Sequence, residues 1–393
     1  MVTINKNKIP IKIWAEQEDI INFSNAIDQA SNLANHPLCQ KWVALMPDFH
    51  VGFGMPIGGV IATKGGVIPN AVGVDIGCGM IATQTSLNTQ LLDKASLQKI
   101  RLEIHKRVPV GTAGHAQRQN HPWLSDDNVK NNNLFFDPVV GKQKVREEAD
   151  RQIGSLGGGN HFIEIQKDQD DQIWIMLHSG SRGFGHKICE YYHKQAVEFC
   201  EKYHSAIPTK ELAFLPVDTD DYRGYMLAMN FAMVYAEENR KAMYKAVKEA
   251  FEACGFKYQE LQQFDTHHNF AAMENHYGEN LMIHRKGAVK ASGLVTIPGS
   301  MGTASYICKG LEPKESFNSC SHGAGRVMGR RQANEAITHE EAVEAMKDVV
   351  FGVKQGDYDE MPAAYKDIEK VIKYQKDLVK PMYKLTPLAV AKG

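Results

Sequence analysis

Apolar positions in this chain come in short bursts whose spacing keeps changing. Ile11–Trp14 reads as a strand, followed by helical periodicity over about Glu16–Leu33. Beyond Met46, runs at Gly59–Thr63, Gly66–Pro69 and Ala71–Val74 are cut by Gly and Pro, which predicts short strands joined by tight turns. A helix is expected over about Leu91–Arg107, and a long polar surface loop over Pro109–Pro138. His161–Gln166 and Ile173–His178 predict a hairpin around the turn K-D-Q-D-D-Q. Centred near 169/170, it sets residues 161 and 178 opposite each other, close enough to share one metal ion. Helical patterns rich in Met, Ala and Tyr follow from Phe184 to about His204 and from Tyr225 to about Phe251; they predict a helical lobe over about 184–251. Two loops come next, Ile297–Ser305 and Cys320–Arg326. Helices are then expected at about Glu335–Val353 and Ala363–Lys380, ahead of a short tail.

At 393 residues, 43% hydrophobic and 23% charged, the chain is an ordinary globular one, long enough for two or three domains or one large α/β unit. Its 45 basic and 46 acidic residues exclude a broadly basic surface but leave room for a local groove that takes a nucleic-acid end. Seven cysteines without a C-x-x-C pair, no signal-like N-terminus and no long apolar run lead to the expectation of a reducing cytoplasm and no membrane association.

The chemistry is concentrated in the Gly-rich segments. Nine of the 28 residues from Gly52 to Gly79 are Gly, and this stretch ends in D-I-G-C-G. Candidate metal ligands are Asp75, Cys78, His161, His178 and the pair His267/His268. Any one alone reads as a loop histidine or a buried thiol; together they read as a metal site. Thiolate and imidazoles point to Zn²⁺, whereas carboxylate and phosphate oxygens favour Mn²⁺. Three runs can cradle phosphate with backbone N–H groups: Gly157–Asn160, Pro298–Gly302 and His322–Arg326. No G-x-x-x-x-G-K-[ST] occurs, which excludes a P-loop NTPase. His322, between Ser321 and Gly323, is a candidate nucleophile on phosphorus, with Arg326 or Arg182 to stabilise charge on the transferred group.

Eight segments in order carry a resemblance: VGVDIGCGM (72–80), GGGNHFIE (157–164), MLHSGSRG (176–183), HHNF (267–270), RKGA (285–288), IPGSMG (297–302), CSHGAGRVM (320–328) and AYKDI (364–368). Together with MPDFH from Met46, they resemble the RtcB family of RNA ligases over most of the chain. The resemblance implies a mixed α/β fold of stacked sheets flanked by helices, with a central active-site cleft in one catalytic domain, 1–393. It implies joining of RNA 3′-phosphate or 2′,3′-cyclic phosphate ends to 5′-hydroxyl ends, with GTP and two Mn²⁺ ions. GMP would be carried on His322, passed to the RNA 3′-phosphate and released on attack by the 5′-hydroxyl. The implied metal ligands are Asp75, Cys78, His161, His178 and His268, with the thiolate between the two ions; His268 is taken because it directly precedes Asn269. Implied guanylate contacts are Asn160, His161, Phe162, Ile163, Glu164, Pro298, Gly299, Ser300, Met301, Ser305, His322, Gly323, Ala324, Gly325 and Lys392, with Tyr365 stacking on the base.

One departure stands out. After His50 the chain reads V-G-F-G-M-P-I-G-G, with Phe53 where a basic or polar residue is expected. Such a change bears on RNA-end preference more than on the chemistry. The implied partners are tRNA halves or damaged RNA, GTP and an archease-type activator. Two other readings compete. A metal-dependent phosphohydrolase of cyclic-phosphate ends would need the metal set without His322 or Lys392, and a non-catalytic RNA-end-binding protein would need neither.

Overall fold

The computed structural model describes residues 1–392. Cys39–His50 runs as one long strand because its apolar side chains find cover on both faces. It lies at the centre of a six-stranded sheet ordered Val2–Ile4, Ile11–Ile13, Cys39–His50, Ile57–Thr63, Glu279–Lys286, Asn269–His276. A seven-stranded sheet is ordered Glu260–His267, Gly79–Asn88, Gln172–Ser179, Phe162–Lys167, Val379–Lys392, Ser305–Gly310, Leu294–Ile297. Ala44, Met46, Val60 and Ile283 of the first share an apolar layer with Val295, Ile297, Cys308 and Val379 of the second.

Alternation along the hairpin explains the other faces. Ile163, Ile165, Ile173, Ile175 and Leu177 point into a layer filled by Ile100 and Ile104 of the helix Lys94–Arg107 and by Met243 and Val247 of the helix Asp220–Ala253. The residues between them face the other way. Helix Ser24–Ala34 covers the outer face of the six-stranded sheet with Ala26, Ala30 and Leu33.

Several sequence expectations need correcting. The single helix over Glu16–Leu33 breaks at Phe23 into Gln17–Asn22 and Ser24–Ala34; the Phe23 ring packs edge-on against Phe49. Ala71–Val74 is no strand: Pro69 opens a 3-10 turn over Pro69–Ala71, and strand pairing stops at Val67. The Pro109–Pro138 stretch is polar but not an open loop. Ser125 caps a helix over Asp126–Asn131, and Leu124, Val129 and Leu134 are buried beneath. The helix expected over Glu335–Val353 is two short ones, Arg330–Ala336 and His339–Ala345, because Thr338 and Glu341 form a capping box that restarts the chain. Ala363–Lys380 keeps only Ile368–Tyr374 as helix, and the tail is the strand Val379–Lys392.

Two buried histidines away from the cleft tie these layers together. His36 Nδ1 accepts the Leu38 N–H at 3.2 Å, and His284 Nε2 accepts the Ile68 N–H at 3.0 Å. Burial lowers their pKa values to about 4 and about 3. Below the ordinary histidine value of about 6.5, the unfolded chain binds protons that these rings refuse, so stability falls as pH drops and levels off below the folded values. Thermal unfolding midpoints should therefore decline from about pH 7 to about pH 4; a midpoint that stays flat or rises on acidification would contradict this account.

Candidate active site

The chain changes sheets at one residue. Glu260–His267 belongs to the seven-stranded sheet and Asn269–His276 to the six-stranded one, so His268 is the hinge between them. Its backbone is held on both sides: its N–H donates to Cys78 O at 2.9 Å, and its carbonyl accepts the Ala288 N–H at 3.2 Å. His267 stays in the strand, paired with Gly79, and packs on Phe270. Only His268 joins the cluster.

Around His268 the structure brings together the five ligands that the resemblance implies, Asp75, Cys78, His161, His178 and His268 itself. Cys78 Sγ lies 3.1 Å from His178 Nε2 and 3.4 Å from His161 Nε2. His178 Nε2 is 3.4 Å from His268 Nε2, and His161 Nε2 is 3.0 Å from Asp75 Oδ2. The hairpin register is one residue off the expected one: His178 pairs with Phe162. The imidazoles still converge, because His161 precedes the strand and its ring is turned by a bond from Nδ1–H to Leu156 O at 2.9 Å. His178 Nδ1–H donates likewise to Asn160 O at 3.1 Å. The Ser181 N–H fixes the other Asp75 oxygen at 2.9 Å.

These bonds test whether a cation fits. Each carbonyl accepts a hydrogen bond from Nδ1–H, so in the neutral rings Nε2 of His161 and of His178 is a lone pair aimed at the thiol. His161 Nε2 also faces the Asp75 carboxylate, and His268 Nδ1 is buried without a partner among the described residues. Acceptors crowded against acceptors are unfavourable unless a proton or a metal ion is shared among them. Burial pushes the Cys78 thiol well up, and the Asp75 charge adds to this; a cation reverses that balance. Soft and hard donors are both present, so the residues fit a divalent transition metal.

Beside the cluster opens a cavity of about 620 Å³, lined by His178, His322, Asn160 and the loops Pro298–Met301 and Gly323–Arg326. The rings of His268 and His322 are 4.7 Å apart. His322 Nδ1–H donates to Asp48 Oδ2 at 2.6 Å, and the same oxygen accepts the His322 backbone N–H at 3.1 Å. That leaves Nε2 of the neutral ring as the unprotonated nitrogen. Gly325 permits this contact: with φ +75°, it lets Asp48 O come within 2.2 Å of where a Cβ would stand.

Most of the candidate guanylate contacts reach the cavity: Asn160, Phe162, Glu164, Pro298 to Met301, His322 to Gly325 and Lys392 line it, as does Tyr365. Ile163 does not, since its side chain points into the helix-facing core. Ser305 is buried behind the loop, where its hydroxyl accepts from Gln166 Nε2 at 3.2 Å and from Gly299 N–H at 3.3 Å. Glu164 receives one bond from Gln166, and burial raises its carboxyl to about 8. Lys392 Nζ donates to the carbonyls of Gly159 and His161 and lies 3.5 Å from Glu360. Arg326 is committed to Glu360, Met328 O and Tyr365, and Arg182 to Ser155 and Gly111 O. Sequence reading did not single out Asp48, His50, Glu360 or Arg330. Asp48 and His50 stand in the quoted M-P-D-F-H, whereas Glu360, which pairs with Arg330 at 2.9 Å, sits in an ordinary acidic run.

A family model described as tRNA-splicing ligase RtcB matches residues 29–393. RNA-splicing ligase RtcB of Escherichia coli (strain K12) is 38% identical, over 98% of this chain and 97% of its own. tRNA-splicing ligase RtcB of Methanococcus maripaludis is 32% identical, over 96% and 92%, and RNA-splicing ligase RtcB of Mycobacterium tuberculosis is 32% identical, over 93% and 100%. Fold, site and matches define the class as an RNA-splicing ligase. Within that class the chain belongs to the RtcB family.

Proposed function

We propose that the chain joins RNA 3′-phosphate or 2′,3′-cyclic phosphate ends to 5′-hydroxyl ends, using GTP and Mn²⁺, through a covalent His322–GMP intermediate. The observation that carries this reading is the Asp48–His322 pair at the edge of the cavity. The carboxylate holds the proton on Nδ1, which keeps Nε2 free for attack and stabilises the positive ring that forms. In the first step, the bond from Nε2 to the α-phosphorus forms, the α–β phosphoanhydride bond breaks and pyrophosphate leaves. GMP then passes to an oxygen of the RNA 3′-phosphate, which frees the imidazole. The 5′-hydroxyl attacks that activated phosphorus, and GMP departs.

Asp75, Cys78, His161, His178 and His268 would hold the two ions. Bound Mn²⁺ would polarise phosphate oxygens as a Lewis acid. Glu164 and Lys392 offer an acceptor and a donor to a base, which suits the edge of guanine: ring N–H and amino groups donate, and its carbonyl accepts. Gly299, Ser300 and Met301 would cradle phosphate with backbone N–H groups. The same reading takes residues 1–393 as one catalytic unit in the cytoplasm, acting on tRNA halves or damaged RNA, with an archease-type activator. Among the described residues, no helix is long and apolar enough to cross a membrane.

Incubation with α-³²P-GTP and Mn²⁺, with ATP in parallel, tests the first step. A labelled protein band on a denaturing gel is expected, dependent on GTP and Mn²⁺, stable to base and lost in acid. Absence of the band, with fold and metal content intact, would remove this reading.

A further inference from the structure

Asp48 orients two imidazoles. Its carboxylate holds His322 Nδ1–H, and its backbone carbonyl accepts from His50 Nδ1–H at 2.8 Å. A carbonyl oxygen only accepts, so the proton of the neutral His50 ring sits on Nδ1, and Nε2 presents a bare lone pair. His50 lines the same cavity as His322, and its Nε2 makes no hydrogen bond to any of the described residues. The segment that carries it is pinned. Lys366 Nζ donates to Pro47 O at 3.1 Å and to Phe49 O at 2.7 Å, while Gly325 backs directly onto Asp48 O. Burial lowers the His50 pKa to about 4, opposed in part by the Asp48 carbonyl and charge, so the ring is neutral near pH 7; the anionic phosphates of the activated end raise its basicity when they enter the cavity.

The sealing step needs a proton acceptor. An alcohol becomes a competent nucleophile as its proton leaves, and a positioned base typically contributes about 10²–10⁴-fold. Attacking and leaving oxygens lie roughly in line on opposite sides of phosphorus. His322 has by then released guanylate, and His50, on the same cavity, offers a second imidazole whose free nitrogen can meet the attacking hydroxyl.

We propose that His50 is a second catalytic residue of this site, the general base that accepts the proton of the 5′-hydroxyl as the RNA ends are sealed. The proposal rests on the ligase reading above. The bond from the 5′-oxygen to phosphorus forms, the bond from phosphorus to the bridging oxygen of GMP breaks, and GMP leaves with that electron pair. The hydroxyl proton passes to His50 Nε2 and then to solvent.

The test uses RNA already activated as the 3′-diphosphate-linked guanosine, with full-length wild-type, His50→Ala and His50→Gln proteins and Mn²⁺. Each seals a strand ending in 5′-hydroxyl and, separately, one ending in 5′-thiol. With the hydroxyl strand, both variants should be slower than wild type by about 10²-fold or more. A thiol, with a pKa near 8.5, ionises with little help, so with that strand the deficit should shrink to within about threefold. An equal deficit with both strands would overturn the proposal in favour of a structural role. So would full rescue by Gln, which can still donate to the Asp48 carbonyl but cannot take up a proton, and so would sealing of the hydroxyl strand at the wild-type rate by either variant. If wild type itself failed to seal the activated end, the ligase reading would fall and take this assignment with it.

Discussion

Replacing His322 with alanine is expected to abolish covalent guanylate labelling and to lower RNA joining by on the order of 10⁴-fold or more, since removal of a nucleophile removes its step. The metal cluster should survive, because His322 meets His268 only through ring packing at 4.7 Å. Mn²⁺ content after dialysis should therefore match wild type. Asp48→Ala is the informative companion. It deletes the acceptor for both the Nδ1–H and the backbone N–H of His322, which frees the ring to turn and to place its proton on Nε2. Misplacement of a reacting group by about 1 Å costs on the order of 10²-fold, so labelling should slow by about that factor without vanishing. Labelled GMP on the His322→Ala protein would show that the nucleophile lies elsewhere. A normal labelling rate in Asp48→Ala would show that the carboxylate does not set the ring.

The second large effect is on the metal. Cys78→Ala should weaken Mn²⁺ binding by about 100-fold or more, beyond the 10–100-fold that loss of an outer hydrogen-bonding partner brings. Sγ is the atom that His161 and His178 both face, and these three ligand atoms lie within 4.8 Å of one another. Binding must also displace the thiol proton, so affinity in wild type should rise with pH, and the proton count in calorimetry should drop in the variant. Unchanged metal content in Cys78→Ala, or pH-independent binding in wild type, would remove the thiolate from the site.

The cleft was legible in the sequence because its parts are backbone-limited. Glycines at 157, 180 and 325 stand where a Cβ would strike His161, Asp75 or Asp48, so the loops announce themselves as G-G-G-N-H, H-S-G-S-R-G and S-H-G-A-G-R. Residues that act through an ordinary strand do not. Asp48 lies inside Cys39–His50, where a buried carboxylate leaves no periodic trace, and Glu360 shows itself only through Arg326, Arg330, Tyr365 and Lys392, which arrive from distant segments or across a turn. The register error in the hairpin has a local cause. Counting from the turn centre cannot see that Asp168 accepts from Asp170 and Gln172 N–H groups and shifts the pairing by one. Val379–Lys392 was missed as a strand because of Pro381 and Pro387. Both sit at register shifts, against Ile307/Cys308 and beside Ala389, where a missing N–H is tolerated.

That last strand has a consequence for how the protein comes into being. It follows every other member of its sheet in chain order, yet it lies between Phe162–Lys167 and Ser305–Gly310. During synthesis, the sheet therefore waits with two open edges facing a gap, and the cavity has no wall on that side until residues 379–392 leave the ribosome. Such edges invite wrong partners. A stalled or clipped chain would thus be both inert and prone to aggregate, which couples quality control to the wall that Lys392 completes.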